Sequence, residues 1–259
     1  MPHLMPYLRA DENATETAYY PIVSLYYDNL DRDCYWQKVR GWPSRRKLRV
    51  RVYGSLDGVL PPTSFVEVKH KHFGRVVKRR ARIPLEMALA VGEGDRLEGV
   101  HLPENDRRVV EESVRLVEDC AFRPSCCMRY DRHAYSDINP ESDLRITFDT
   151  GIAYRFQDLT PTPDDQKFEK YLLPDGFSVM EIKITGNVPY WLSRVVGEVG
   201  CVIQSHSKYC NALEDGDPVL HGQLGGRVKI QYGVAPPLAG LEQVLVAHDF
   251  KSPGLAEAS

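Results

Sequence analysis

Apolar and polar residues alternate along several short stretches of this chain, with the period of a strand that buries one face. In residues 47–54, Leu48, Val50 and Val52 alternate with Lys47, Arg49, Arg51 and Tyr53. In 64–71, Val66 and Val68 oppose Glu67, Lys69 and Lys71. In 75–84, Val77, Ala81 and Ile83 oppose Lys78, Arg80 and Arg82. The same holds for Leu144, Ile146 and Phe148 against Asp143, Arg145, Thr147 and Asp149, and for Met180, Ile182 and Ile184 against Glu181 and Lys183. Residues 128–135 alternate less cleanly and put Arg129 and Arg132 on opposite faces. Residues 20–29, rich in aromatic and β-branched side chains, add a strand closed by an Asp-Asn turn. A turn around Asp57-Gly58 or Pro61-Pro62 and another at "HFG" separate the basic strands.

Helical signals punctuate these strands. Residues 31–40 read as a short helix capped by Gly41, and 84–119 as a broken helical stretch. Val109, Val110, Val114 and Val117 share helical spacing in its second part. Residues 187–200 start with an Asn187 cap signal and Pro189 in the first turn, and end in Gly200. Residues 205–213 add a shorter helical or turn segment, 217–237 a final extended piece, and 251–259 a loose tail. With no βαβ alternation, the pattern is α+β with antiparallel strands. It contains no P-loop, no Gly-rich dinucleotide turn and no H-E-x-x-H zinc motif.

Charge changes the picture. Between Lys38 and Arg82 there are 14 Lys/Arg against only Asp57 and Glu67, while the rest holds 19 basic and 34 acidic residues. The net charge of −3 therefore hides a basic block in an acidic protein, the footprint of a localised polyanion site or of a solvated basic face. If the strands curl into a barrel, either the charged faces point outward, or the apolar faces pack outward on helices and leave a cationic interior. The available amphipathic helices and the lack of mixed signs in "KLRVR" and "VKRRAR" favour the second arrangement. Arg and Lys suit phosphate oxygens. Glu67 and Glu181 are candidate ligands for a divalent ion carried on phosphates, or ion-pair partners of cross-strand Lys or Arg. Aromatic residues are too sparse among the bases of these strands for a single-stranded nucleic-acid platform.

The remaining features constrain less. Six cysteines without C-x-x-C pairing read as free thiols, not as a zinc site or a disulfide framework. His70, His72, His133 and His206 read as surface or ion-pair histidines without a catalytic role. The first 20 residues lack a signal peptide's pattern, and no apolar run reaches membrane-spanning length, so a cytoplasmic location is expected.

"YPIVSLYYDN", "KLRVRVYG", "FVEVKHK…VVKRRA", "CCMRYDRHAYSD", "DLRITFD", "VMEIKITGNVPYWL" and "SKYCNAL" follow in that order. Together they resemble the VTC domain, the polyphosphate polymerase domain of the vacuolar transporter chaperone complex and its bacterial relatives, from about residue 20 to 213. That family belongs to the triphosphate tunnel metalloenzymes. The resemblance implies an antiparallel β-barrel tunnel with a charged interior and helices packed outside. It implies a metal-dependent transferase, using Mn or Mg, that moves the ATP γ-phosphate onto a growing inorganic polyphosphate chain. It assigns Arg49, Arg51, Lys69, Arg132, Arg145 and Lys208 to the reacting phosphates, and Lys71, Lys78, Arg80 and Lys183 to further tunnel contacts. Glu181, with Glu67, is assigned to the metal. The implied partners are ATP and polyphosphate, with no nucleic acid and no transmembrane segment; a membrane-protein partner stays open. Residues 1–19 are expected to be the end of a helix, lacking the family's first strand, with the tunnel domain over 20–235 and a tail over 236–259. A triphosphatase of the same superfamily and a non-catalytic polyphosphate- or nucleotide-binding module are the alternatives.

Overall fold

A computed structural model describes residues 4–11, 19–54, 63–163, 165–198, 201–204, 206–225 and 244–248. The strands are β1 (Leu8–Ala10), β2 (Tyr19–Asp28), β3 (Ser44–Tyr53), β4 (Thr63–His72), β5 (Arg75–Arg82), β6 (Arg123–Asp137), β7 (Arg145–Arg155), β8 (Lys170–Tyr171), β9 (Ser178–Lys183), β10 (Val202–Gln204) and β11 (Val244–His248). The helices are α1 (Asp33–Val39), α2 (Leu85–Gly92), α3 (Glu104–Asp119), α4 (Tyr190–Glu198), α5 (Lys208–Gly216) and α6 (Pro218–Gln223). All strands join one sheet in the order β10-β11-β9-β7-β6-β2-β3-β4-β5, with β1 on β6 and β8 on β7. Pairing is antiparallel except where β11 lies parallel between β9 and β10. This is the expected mixed fold built on a large antiparallel sheet. Among the described residues its end strands, β5 and β10, do not pair, so the sheet is open there and no closed barrel is seen.

The alternation read from the sequence decides which side meets the helices. Leu48 and Val50 of β3, Val66 and Val68 of β4 and Ala81 of β5 are buried. They share one core with Ala88 and Val91 of α2 and with Val109, Val110, Val114 and Val117 of α3. At the end of α2, Gly92 leaves room for the Tyr27 side chain, whose ring and hydroxyl a Cβ there would overlap. A second, smaller core joins Leu4 and Leu8 to Ile146, Met180, Ile182 and Leu192, covering the apolar side of β7 and β9. The "HFG" turn is a tight hairpin, with Phe73 and Gly74 both at positive φ. Arg129 and Arg132 do lie on opposite faces of β6, which keeps its register with β2 through this stretch; the β6–β7 register shifts between Arg129 and Asp131 by an extra residue on β7, where Gly151 takes φ 56°.

Several expectations need correction. Residues 8–10 form a strand on β6 and not the end of a helix; Leu8 is buried in the second core, which an extended segment reaches. Helix α4 starts at Tyr190, after Pro189 and not Asn187; the Pro189 carbonyl accepts from the Leu192 and Ser193 amides. Residues 218–223 are helical and not extended, because the Asp217 carboxylate accepts from the Val219 and Leu220 amides and caps them. Val244–His248, in the stretch expected as a tail, forms β11. The turn expected near 57–62 and the tail at 251–259 lie outside the described residues, as does much of the extended piece expected over 217–237.

Candidate functional site

Directly opposed residues in neighbouring strands share a face. The register therefore tests whether the charged positions of separate strands come together. Arg49 stands opposite Tyr26 on β2 and Glu67 on β4, and Lys47 opposite Lys69. Lys69 faces Lys78 on β5, and Glu67 faces Arg80. Arg51 faces Ser24, which faces Met128 on β6. Two and four residues beyond Met128 on that face come Tyr130 and Arg132. Arg132 faces Asp149, Thr147 faces Glu181, and Arg145 faces Lys183. Every strand-borne residue expected at the site thus lies on one continuous face from β5 to β9, opposite the face that packs on α2, α3 and α4. Helix α5 adds Lys208; its N-terminus is capped by Ser207, whose Oγ accepts from the Cys210 amide.

Two ion clusters organise this face. In the first, Glu67 is 1% exposed and meets Arg49 Nε and Lys78 Nζ at 2.5 Å each, with Arg51 Nε at 3.9 Å. Burial alone would raise the Glu67 carboxyl; Arg49, Arg51 and Lys78 hold it well below the ordinary range. Arg51 donates to the hydroxyls of Ser24 (3.2 Å), Tyr53 (3.4 Å) and Tyr130 (3.0 Å), and Arg49 to Tyr26 (3.3 Å). In the second cluster, Asp149 is fully buried and accepts a bidentate pair from Arg132 at 2.7 and 2.8 Å, with Lys208 Nζ at 2.5 Å. Burial again opposes the charge, and Lys208 and Arg132 overcome it, so Asp149 titrates below its usual range. Tyr130 joins the clusters: its hydroxyl accepts from Arg51, and its ring centroid lies 4.9 Å from Lys208 Nζ and 5.4 Å from Arg132 Cζ.

The other expected residues flank these clusters. Glu181 is 22% exposed and pairs with Lys183 at 2.9 Å. Burial would raise its carboxyl, but Lys183, followed by Arg132 and Lys208, lowers it. Arg145 meets Asp11 at 2.7 Å. Arg80 lies over the Phe65 ring at 4.7 Å, and Lys71 stands opposite Arg45. Of the two carboxylates expected at a metal, Glu67 is enclosed by its cations, while Glu181 has Lys183 as its ion-pair partner and keeps an exposed edge. Among the described residues no three Asp, Glu, His or Cys side chains converge as a cation cage.

Sequence reading missed four members of the site. Asp149, Tyr26 and Tyr130 orient the guanidinium groups; residues 20–29 read only as an aromatic and β-branched strand, with no signal that Tyr26 stands opposite Arg49. His206, expected as a surface or ion-pair histidine, has its Nε2 buried and lies in the electrostatic reach of Lys208, Asp149 and Glu181. The thiols of Cys34, Cys126 and Cys127 are buried, and burial pushes their pKa values up, Cys127 to about 12, as expected of unreactive free cysteines. No helix among the described residues is long and apolar enough to cross a membrane. No match was found among curated proteins. The family model of the VTC domain matches residues 2–215, and with most of its length covered the chain belongs to the VTC domain family.

Proposed function

We propose that the charged face binds the triphosphate of ATP and that the chain is a polyphosphate polymerase, passing the γ-phosphoryl group to the end of a growing polyphosphate. The observation that carries this reading is the register, which gathers the cations of separate strands on one face, where they outnumber Glu67, Asp149 and Glu181. Membership of the VTC family supports it. The complete burial of Glu67 and Asp149 on an otherwise charged face supports a sheet curled around that face as a tunnel.

Arg51 and Arg132 stand on either side of Tyr130, oriented by hydroxyls and by Asp149, so their forks are set before a phosphate arrives. Lys208, Lys78 and Lys69 supply mobile point charges. In the transfer, a terminal phosphate oxygen of the chain attacks the γ-phosphorus in line, the bond to the β–γ bridging oxygen breaks, and ADP leaves. Such a reaction rests on positioning and electrostatic stabilisation and needs no protein nucleophile. Glu181 is the residue here that suits Mn or Mg, since such ions reach a protein on phosphate oxygens and take one or two carboxylates. When bound, the ion would neutralise charge on the phosphate oxygens. Glu67 instead balances the cations around it. A cytoplasmic site, with ATP at hand, fits this reading.

The test is incubation with ATP and Mn²⁺, with products resolved on a gel stained for polyphosphate. Long chains are expected. Release of phosphate alone would assign a triphosphatase, and ATP binding without turnover would assign a binding module; either result removes the polymerase reading.

A further inference from the structure

Three side-chain atoms around Glu181 are buried without a hydrogen-bond partner among the described residues: Thr147 Oγ1, Arg145 Nε and His206 Nε2. Thr147, 3% exposed, stands directly opposite Glu181 in the β7–β9 ladder, and Arg145 stands opposite Lys183. His206 lies two residues before Lys208 and in electrostatic reach of Glu181 and Asp149. Buried polar groups in native folds are nearly always satisfied, so orphans on neighbouring positions of one charged face call for a specific cause.

The ring of His206 can be assigned a proton. Asn211 Nδ2 lies 3.1 Å from His206 Nδ1. An amide nitrogen only donates, so Nδ1 accepts and the proton of the neutral ring sits on Nε2. Burial, aided by Lys208, lowers the ring's pKa to about 4, which keeps it neutral near pH 7. All three orphans are thus donors: a neutral N–H, a hydroxyl and one guanidinium N–H. A donor set next to a carboxylate awaits an acceptor that comes with a ligand.

We propose that Thr147, His206 and the Nε of Arg145 form a donor pocket beside Glu181 that holds the non-bridging oxygens of one phosphoryl group of a tri- or polyphosphate. This rests on the reading of the charged face as a polyphosphate site.

The test uses Thr147→Val and His206→Phe, which remove a donor while nearly keeping shape, and His206→Gln, which returns an N–H near the Nε2 position. Tripolyphosphate binding is measured by calorimetry with and without Mn²⁺, and the thermal midpoint is measured without ligand. Each of the first two substitutions should weaken binding by about tenfold or more. Thr147→Val should leave the unliganded midpoint unchanged or higher, because it deletes an unsatisfied buried hydroxyl, whereas His206→Phe also gives up the Asn211 contact and is judged on affinity and on its recovery by His206→Gln. His206→Gln should recover most of the affinity. A merely structural role would lower the midpoint and leave affinity alone. Wild-type affinity in both variants overturns the proposal, and so does a loss seen only with Mn²⁺, which would make these side chains metal ligands. Absence of tripolyphosphate binding by the wild-type chain would sink the parent reading itself, a separate outcome.

Discussion

Glu67→Gln removes the charge that Arg49, Arg51 and Lys78 share. Arg49 Nε and Lys78 Nζ lie at 2.5 Å from the carboxylate and Arg51 Nε at 3.9 Å, and Glu67 is 1% exposed. Breaking a buried ion pair by neutralising one partner costs about 3–5 kcal/mol, because the other charge stays uncompensated. Two features place the cost at the low end. Lys78 is 40% exposed and can turn into water. Arg51 keeps the hydroxyls of Ser24, Tyr53 and Tyr130 as acceptors. A loss of about 3 kcal/mol is therefore expected, and with a urea m-value of about 1–3 kcal/mol/M the unfolding midpoint should fall by roughly 1 M or more. The same substitution makes the face more positive, so tripolyphosphate should bind more tightly than to the wild type. At a hundred times its Kd the ligand should return about 2.7 kcal/mol. A stability loss below about 1 kcal/mol would refute the energetic reasoning. Weaker binding of tripolyphosphate in the absence of metal would refute the assignment of Glu67 as a charge balancer.

Gly92→Ala would drive a Cβ to 2.0 Å from the Tyr27 hydroxyl, and overpacking there should cost about 1–3 kcal/mol by urea unfolding. Arg132→Lys loses the two-pronged contact with Asp149, so polymer formation from ATP should fall at least about tenfold while the circular dichroism spectrum is kept. Acid unfolding should start early: His206 titrates at about 4 in the fold against 6.5 for the free side chain, so the unfolded chain binds more protons in between. Stability should then fall as pH drops from about 6.5 to 4, by up to about 3 kcal/mol, and His206→Phe should flatten that segment. Glu67 and Asp149, held low by their cations, add stability present above their unfolded values and lost as pH falls through their folded ones.

The sequence carried the fold's layering in its parity. Leu48, Val50 and Val52 against Arg49 and Arg51 already defined which side of β3 meets helices, and the valines of α3 supplied the complementary stripe. Parity could not say which residue of one strand faces which of the next. That is why the Thr147–Glu181 pair, the Arg49–Glu67–Lys78 cluster and the role of Tyr130 emerged only from the register. Lys208 was named from its motif, but its contact with Asp149 depends on where α5 crosses the sheet, a long-range property with no local signal. Residues 8–10 misled for a related reason: three residues are too few to show a period, and only pairing with β6 makes them a strand. The slip at Gly151 shifts β7 against β6 by one residue, which no local pattern in either strand announces.

A crystal structure of the full chain with tripolyphosphate and Mn²⁺ probes the charged face most directly. Density for the three phosphates should run past Arg51, Tyr130 and Arg132, with the metal at Glu181. Tripolyphosphate bound elsewhere, with Arg51 and Arg132 still held only by their hydroxyls and Asp149, would contradict it.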